Sequence, residues 1–336
     1  MTFANLPSPL EKAISEILQN QPTVGWLHRA SELHERYLTA KMDKKSYVHD
    51  FEDALAYLGM RVPATYAQIY GALTTIQESI PSWKPQSILD IGSGPGTGGW
   101  AAISHWPDLL EVDCLDQNKD FIQIGKQIAV AAQLQQKFSW KQHDLRDGIA
   151  DNEKVYDLII IANVLNELNQ TAQEKIIGQA FNKCAGVLLV IEPGTPRGSE
   201  VVSAVAQKLS KVGNLLAPYI ANTFVQDSDY YLHFPQRFIR PDFQRRIRQH
   251  MRVDAAKASD WEEAKYSYVA ISRMASEKEQ WGRCVGQVHI QKGFLEVPVL
   301  RAEGVTKIKI MKRNKEKFSY AKRLRWGDVI TRNLNE

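Results

Sequence analysis

The sequence predicts an α/β protein built on a doubly wound parallel sheet, preceded by a helical region and followed by a small basic extension that contains β-structure. Short apolar runs of strand length alternate with helix-like segments from residue 86 to about residue 275. A glycine-rich turn joins the first of these runs to the helix-like segment behind it. The length of 336 residues is enough for about two domains.

Residues 1–85 are predicted to form a helical domain. Ser8, Pro9 and Glu11 have the order of a helix start, in which serine caps and proline suits the first turn. Apolar residues recur at helical spacing after this start and again in three later segments, at residues 26–38, 51–58 and 63–73. We expect these helices to pack on the sheet or to lead into it.

The sheet is predicted within a domain over residues 86–275. Its strand candidates are five short apolar runs, at residues 87–91, 111–115, 138–143, 157–162 and 186–191, with a later antiparallel candidate at 266–271. Residues 276–336 are the predicted basic extension. A strand at 285–290 and an alternating pattern up to 310 indicate a small β unit there, and residues 312–325 indicate a helix.

The turn after the first strand candidate is the most informative stretch of the chain. Asp90 stands just before it, and the turn contains Gly92, Ser93, Gly94 and Gly96. Glycine adopts the dihedral angles of such a turn without steric cost and lets a ligand approach the backbone. In doubly wound sheets, ligands bind beyond the carboxyl ends of the strands. The turn therefore predicts a cofactor site.

Two classes of cofactor compete for this turn. Gly94, Gly96 and Gly99 also satisfy G-x-G-x-x-G, the pattern of dinucleotide sites, but that pattern is weak by itself. An aspartate at the turn gives no advantage to an anionic pyrophosphate, whereas it suits the ammonium and sulfonium groups of S-adenosylmethionine (SAM). The sequence therefore favours SAM over NAD or FAD, and over a turn that is purely structural.

Polar residues after the next two strand candidates extend the predicted cofactor site. Asp116 and Gln117 follow the second candidate, and the carboxylate could accept from both ribose hydroxyls unless Asp116 is an ordinary surface residue. Asp144 and Leu145 follow the third candidate. Asp144 could accept from the adenine amino group while Leu145 covers the ring, although aspartate is also a common turn residue.

The exit of the fourth strand candidate should lie where a methyl group leaves the cofactor. Asn163 is a predicted cofactor contact there, and Asn166 and Glu167 are the catalytic candidates. The alternative is that Asn166 and Glu167 only cap the next helix. The exit contains no D-P-P-Y or N-P-P-Y sequence and no cysteine, so the sequence identifies no catalyst. Arg197, after the fifth candidate, could face an anionic substrate.

Positive charge is concentrated in two clusters although the formal net charge is only +4. Residues 307–325 hold nine Lys or Arg residues and one acid, and a second cluster lies at residues 237–248. Such clusters indicate a polyanion-binding surface, with a solvated helix face as the alternative. The predicted RNA contacts are the basic residues Arg237, Arg240, Arg245, Lys312, Arg313, Lys315, Arg323 and Arg325.

Several classes of protein are disfavoured. No apolar run approaches the ~18 residues that a membrane span needs, and the first residues lack the pattern of a signal peptide. We therefore expect a cytoplasmic location and no membrane partner. The three cysteines are far apart and form no C-x-x-C pair, so we expect neither a disulfide framework nor a metal site. No obligate protein partner is evident.

A series of short segments carries a family resemblance. They read A-Y-L at 56–58, R-V-P-A-T-Y at 61–66, L-N-E-L at 165–168, E-P-G-T-P at 192–196, H-F-P-Q-R at 233–237, K-Y-S-Y at 265–268 and R-W-G-D at 325–328. This ordered set resembles the methyltransferase-like proteins of the small ribosomal subunit, found in bacteria and in mitochondrial ribosome assembly. The resemblance implies a class I methyltransferase fold, small-subunit rRNA or a pre-ribosome as partner, and a role in ribosome assembly or translation.

The chain departs from that family at its cysteines. Many members resemble iron–sulfur proteins, with cysteines after the fifth strand and one just before the H-F-x-Q-R segment. Here Leu232 precedes His233, and residues 217–231 contain no cysteine. Cys284 alone cannot hold a cluster that ordinarily takes about four thiolates. We therefore expect no iron–sulfur cluster.

Two functions from different classes follow. The leading prediction is a SAM-dependent methyltransferase that acts on, or is docked to, small-subunit rRNA. The alternative is an RNA-binding assembly factor that retains the cofactor pocket and transfers no methyl group. A small-molecule methyltransferase is disfavoured because it would leave the basic clusters unexplained.

Overall fold

The computed structural model describes residues 3–39, 48–149, 153–220, 224, 231–251 and 259–334. Its first part is helical, with α1 (Ser8–Gln19), α2 (Thr23–Thr39), α3 (Phe51–Met60) and α4 (Val62–Ser79). Helix α1 starts at Ser8 itself, because the carbonyl of Pro7 accepts the first helical bond from Glu11 N at 3.0 Å. The predicted Ser8 side-chain cap is therefore wrong.

The central sheet has eight strands. They are β1 (Ser87–Ile91), β2 (Glu111–Asp116), β3 (Phe138–Gln142), β4 (Tyr156–Ala162), β5 (Cys184–Pro193), β6 (Asn214–Ala217), β7 (Phe234–Ile239) and β8 (Trp261–Ser272). Between them lie α5 (Thr97–His105), α6 (Lys119–Ala131), α7 (Gln170–Asn182), α8 (Pro196–Leu209) and α9 (Asp242–His250), and the short 3₁₀ turns η1 (Leu145–Asp147) and η2 (Leu165–Glu167).

The strand order is β3-β2-β1-β4-β5-β8-β6, and β7 pairs with the other part of β8. The first five strands are parallel, and β8 runs antiparallel to β5, β6 and β7. This is a doubly wound, Rossmann-like sheet. The order changes direction at β1, which has β2 on one side and β4 on the other, so a crevice opens beyond the carboxyl ends of these strands.

One hydrophobic core holds the sheet and the first helices together. Residues 158–161 of β4 have no exposed surface, as expected for a strand covered on both faces. The same core continues into the apolar faces of α1–α4, and Tyr66 of α4 donates a hydrogen bond to Ser104 of α5 at 2.9 Å. The domain limits at residues 85 and 275 stay predictions.

The last part of the chain forms a second sheet of five strands. They are β9 (Gly282–Cys284), β10 (His289–Gln291), β11 (Phe294–Arg301), β12 (Gly304–Met311) and β13 (Val329–Ile330), with α10 (Lys315–Ala321) before the last strand. The predicted strand at 285–290 is wrong in position, because Gly286 separates β9 from β10 and glycine is weak inside strands. The predicted helix at 312–325 is present but is limited to α10.

Arg283 joins this second sheet to the rest of the molecule. Its side chain has no exposed surface. Its Nε donates to the carbonyl of Pro218, which follows β6, at 2.8 Å, and Nη1 donates to the carbonyl of Gly327 at 2.9 Å. In the described ranges, no helix has both the length and the apolar character that crossing a membrane would require.

Candidate functional site

The glycine turn between β1 and α5 forms one wall of the crevice. Gly92, Gly94 and Gly96 have φ angles of +65°, +54° and +84°, in the region that favours glycine. A Cβ added to Gly94 would meet no atom within 4 Å, so the backbone faces open space there. A Cβ added to Gly92 would lie 2.3 Å from Cγ2 of Val164. The turn is thus open to a ligand on one side and packed against the exit of β4 on the other.

Asp90 lies beneath this turn. Its carboxylate is buried and accepts hydrogen bonds from Gly98 N at 3.0 Å and Gly99 N at 3.3 Å, at the start of α5. Burial raises the pKa of Asp90 to about 7. The side chain therefore connects β1 to the helix, and direct contact of Asp90 with a cofactor stays a prediction. Ser93, in the same turn, is also buried.

Asp116 holds the turn from the neighbouring strand. Its Oδ2 accepts from Gly94 N at 2.8 Å, and its Oδ1 accepts from Asn118 N at 2.8 Å. Burial raises the pKa of the Asp116 carboxyl, and these amide hydrogen bonds oppose that rise. The residue predicted to bind ribose thus lies at the glycine turn as expected. Gln117 is exposed next to it.

Asp144 lies farther along the same edge, after β3. Its two carboxylate oxygens each lie 3.0 Å from Nε of Arg146, and this hydrogen-bonded ion pair lowers the pKa of Asp144. Leu145 is buried. An adenine amino group would have to share Asp144 with the guanidinium group of Arg146, and the adenine role of both residues stays a prediction.

The exit of β4 brings three predicted residues to this edge. Asn163 has a left-handed backbone with φ +59°, and Asn166 and Glu167 lie in η2. Glu167 is accessible to solvent, yet the surrounding protein and, secondarily, the negative charge of Asp116 raise the pKa of its carboxyl to about 7. The exit therefore carries a carboxyl group that can bind or release a proton near neutral pH.

Glu192, at the end of β5, lies at the site, and no role was predicted for it. The side chain has no exposed surface, and Oε1 accepts from Leu165 N at 2.8 Å. Oε2 has no hydrogen-bond partner among the described residues. Burial, with a smaller contribution from the charge of Glu167, raises the pKa of Glu192 to about 8. The sequence signals for this position were an acid that ends an apolar run and the E-P-G-T-P segment that begins with it.

Two residues of the N-terminal helices also reach the site. Tyr57 lies in the A-Y-L segment at 56–58, whereas no local pattern marks Gln68. Gln68 of α4 accepts a hydrogen bond from Nδ2 of Asn163 at 3.0 Å. Tyr57 of α3 lies close enough to Glu167 and Asp116 for their charges to add to the burial that raises the pKa of its phenol. Both positions depend on how α3 and α4 pack against the edge of the sheet.

Four carboxyl groups therefore gather at the carboxyl ends of β1, β2, β4 and β5. They are the side chains of the buried Asp90, Asp116 and Glu192 and of the solvent-accessible Glu167, and desolvation by the surrounding protein raises the pKa of each. A nearby cation would favour the ionised form of each group, whereas a nearby anion would disfavour it. This acidic edge is therefore suited to a cationic ligand.

Four arginines of the central basic cluster, Arg237, Arg240, Arg245 and Arg248, are paired with acids of the protein. Each of the three predicted RNA contacts in this cluster has its own carboxylate partner, in the pairs Arg237–Glu263 at 3.2 Å, Arg240–Glu262 at 3.0 Å and Arg245–Asp242. The guanidinium group of Arg237 also lies 4.3 Å from the ring centroid of Trp261. To contact RNA as predicted, these arginines would have to share their guanidinium groups between the carboxylate and a phosphate, or leave the carboxylate.

The basic residues of the last part of the chain have a different setting. Within the described ranges, no carboxylate forms an ion pair with the exposed side chains of the basic face, which we define as Lys307, Lys309, Lys312, Arg313, Lys315, Arg323 and Arg325. The Nζ of Lys309 lies 3.9 Å from the ring centroid of Phe294. The basic face thus offers positive charge that forms no ion pair with an acid of the described residues, although the charge of Asp328 lies near Arg325.

The three cysteines, Cys114, Cys184 and Cys284, are buried free thiols, and they lie far apart in the sequence. No group of three or more His, Cys, Asp and Glu residues is placed to hold a metal ion in the part of the chain that the structure describes. Most of the cysteine-free stretch after β6, at residues 221–223 and 225–230, lies outside the described residues.

Sequence comparison finds mitochondrial relatives of this chain. The chain is 25% identical over 178 residues to the mitochondrial ribosome assembly protein METTL17 of Homo sapiens, covering 52% of this chain and 39% of that protein. It is 28% identical over 158 residues to the mitochondrial Rsm22-cox11 tandem protein 2 of Schizosaccharomyces pombe, covering 44% and 21%. The matches thus span less than half the length of these relatives. Because both relatives are mitochondrial, the predicted cytoplasmic location is not supported by them.

Among solved structures, magnesium protoporphyrin IX methyltransferase of Synechocystis PCC 6803 with bound SAM is similar with a TM-score of 0.39 and 9% identity, covering 78% of this chain and 97% of that one. The match to a protein family covers more of the chain than the matches to these individual proteins. The family described as mitochondrial small ribosomal subunit Rsm22 matches residues 51–331, which is most of the chain. The chain therefore belongs to the Rsm22 family of the small ribosomal subunit.

Proposed function

We propose that this chain is a SAM-dependent methyltransferase that acts on, or is docked to, small-subunit rRNA during ribosome assembly. The observation that carries the proposal is the open glycine turn at Gly94 with four buried or half-enclosed carboxyl groups around it. A pyrophosphate would meet repulsion at this edge, whereas the ammonium and sulfonium groups of SAM would meet attraction.

The residues at this edge fit SAM. Asp116 retains lone pairs that can accept from ribose hydroxyls beside the open turn. Bound SAM would supply an electrophilic methyl group on a positively charged sulfur. Glu167, whose pKa is raised to about 7, is placed at the exit of β4 to take a proton from an acceptor. The remaining contribution of the protein would be the positioning of the two reactants.

RNA docking is supported by the basic face. Seven exposed Lys and Arg side chains in β12 and around α10 lack a carboxylate partner among the described residues. Neutralisation of phosphates by such side chains releases counterions, so affinity for RNA should fall steeply as salt rises. The relatives named for ribosome assembly and for Rsm22 support the small subunit as the partner.

A second candidate is an assembly factor that keeps the SAM pocket and transfers no methyl group. The name of METTL17 as a ribosome assembly protein and the ion pair that occupies Asp144 favour it. The deciding experiment maps rRNA modifications by mass spectrometry in cells with the gene, without it, and with Asp116→Ala. Loss of one methyl mark in both altered strains would support catalysis. Unchanged marks, with an assembly defect that Asp116→Ala rescues, would support the assembly factor.

A further inference from the structure

A relay of hydrogen bonds connects β8 to the exit of β4 through helix α4. The backbone carbonyl of Lys265 accepts from Nε2 of Gln68 at 3.0 Å, and Oε1 of Gln68 accepts from Nδ2 of Asn163 at 3.0 Å. Gln68 is buried, and it is separated from its two partners by 197 and 95 residues of sequence. The relay is therefore a purely tertiary feature.

The chemistry of the first group fixes the orientation of both amides. A backbone carbonyl can only accept, so Gln68 must turn its NH₂ group to Lys265 and its oxygen to Asn163. Asn163 must then turn its NH₂ group to Gln68, which leaves Oδ1 on the opposite side of its amide. Reversal of either amide would place two acceptors, or two donors, against each other. The relay thus determines which atom Asn163 presents to the site.

The side-chain oxygen of Asn163, which takes no part in the relay, has no hydrogen-bond partner among the described residues. Asn163 Oδ1 is buried, and no described group donates to it. The residue also has a left-handed φ of +59°, which is uncommon for residues other than glycine, although asparagine adopts it more readily than most. One further buried oxygen at this exit, Asn166 Oδ1, also lacks a donor among the described residues. The exit of β4 therefore has an excess of acceptors and needs donors from a ligand.

We propose that Gln68 is a positioning residue, which orients Asn163 so that its Oδ1 accepts a hydrogen bond from a nitrogen-bearing group of the ligand. The inference rests on the proposed function, because it assigns one contact within the same SAM site. A nitrogen donor suits the exit because Glu167 and Asp116 give it negative charge. Two sources carry such a group, namely the ammonium of the methionine part of SAM and an exocyclic amino group of an RNA base.

Binding of two adenosine ligands distinguishes these sources. S-adenosylhomocysteine has the amino-acid ammonium, whereas methylthioadenosine lacks the whole amino-acid part. If the ammonium is the donor, Gln68→Met and Asn163→Ala should each weaken S-adenosylhomocysteine binding roughly tenfold in calorimetry, the loss expected for one charged hydrogen bond. Both variants should bind methylthioadenosine as the wild type does. Gln77→Met, farther along α4, is the matched control and should bind both ligands normally.

The double variant tests whether Gln68 acts through Asn163. Gln68→Met in the Asn163→Ala background should cause no further loss, because the group that Gln68 orients is already absent. Both ligands could instead bind normally to the single variants. In that case we expect these variants to transfer less labelled methyl than the wild type from SAM to small-subunit rRNA isolated from a strain without the gene. That result would assign the donor to a base amino group.

Three results would overturn the relay. They are additive losses in the double variant, equal losses for both adenosine ligands, or no change in binding and methyl transfer. In each case the wild-type protein still binds S-adenosylhomocysteine, so the proposed SAM site would stand while the role of Gln68 would fall. A wild-type protein that does not bind S-adenosylhomocysteine would instead remove the proposed SAM site and the relay together.

Discussion

The carboxylate of Asp116 accepts a hydrogen bond from the backbone N–H of Gly94 at 2.8 Å. The end of β2 thereby holds the turn that follows β1, and two segments that are separate in sequence form one rigid edge. A cofactor at this turn would meet a backbone whose position is set in advance by a buried acid.

The first prediction concerns Asp116 itself. Asp116→Ala leaves two buried backbone N–H groups without an acceptor, which should cost about 1–3 kcal/mol of stability. We expect affinity for S-adenosylhomocysteine to fall at least tenfold in calorimetry, because the turn and the ribose contact are both affected. Asp113→Asn is the control. Asp113 lies on the same strand as Asp116 and forms an ion pair with Lys154, and this variant should bind S-adenosylhomocysteine normally. Unchanged binding by Asp116→Ala would contradict the assignment.

The second prediction compares two glycines in helices. A Cβ at Gly98 would lie 2.7 Å from Oδ1 of Asp90, whereas a Cβ at Gly178 would meet nothing within 4 Å. Gly98→Ala should destabilise the protein by about 1–3 kcal/mol and weaken cofactor binding, because Asp90 must move. Gly178→Ala should stabilise it by up to ~1 kcal/mol, because alanine is the better helix former. Urea unfolding checks both, and equal effects of the two changes would refute the close contact.

The third prediction concerns pH and Glu192. Burial raises the pKa of Glu192 from its ordinary 4.5 to about 8, so the folded protein holds a proton that the unfolded chain releases between these values. The free energy of unfolding should therefore fall as the pH rises from 5 to 8. Glu192→Gln cannot ionise, so its stability relative to wild type should be greater at pH 8 than at pH 5 by roughly 3 to 4 kcal/mol. The same difference at both pH values would show that Glu192 is ionised in the folded protein.

The fourth prediction separates the two basic clusters. Combined Lys312→Glu, Arg313→Glu and Lys315→Glu should weaken binding of small-subunit rRNA and lower the slope of log affinity against log salt by about 2 to 3, because roughly one counterion is released per phosphate contact. Arg240→Gln should have a smaller effect, because Arg240 is already paired with Glu262. Fluorescence anisotropy over a salt series measures both. A larger effect of Arg240→Gln would place the main RNA contact in the central cluster.

Much of the fold and part of the site could be predicted from the sequence. The strand, glycine turn and helix around Gly94 are local features, since apolar runs and glycine dihedrals act over a few residues. The parallel strands β1–β5 were expected for the same reason. The position of Asp116 beside the turn was also expected, because the carboxyl ends of neighbouring parallel strands meet at one edge.

Only the tertiary structure decided which charges and polar groups are available. Arg237 and Arg240 belong to a basic run in sequence, but β8 places Glu263 and Glu262 against them. No local sequence pattern marks Gln68, because its hydrogen bond with Asn163 depends on the packing of α4 across the sheet edge. Sequence determined where the chain forms strands and turns, since these preferences are local. Burial and pairing between distant segments determined which acids stay neutral and which cations stay free, since both depend on the packed whole.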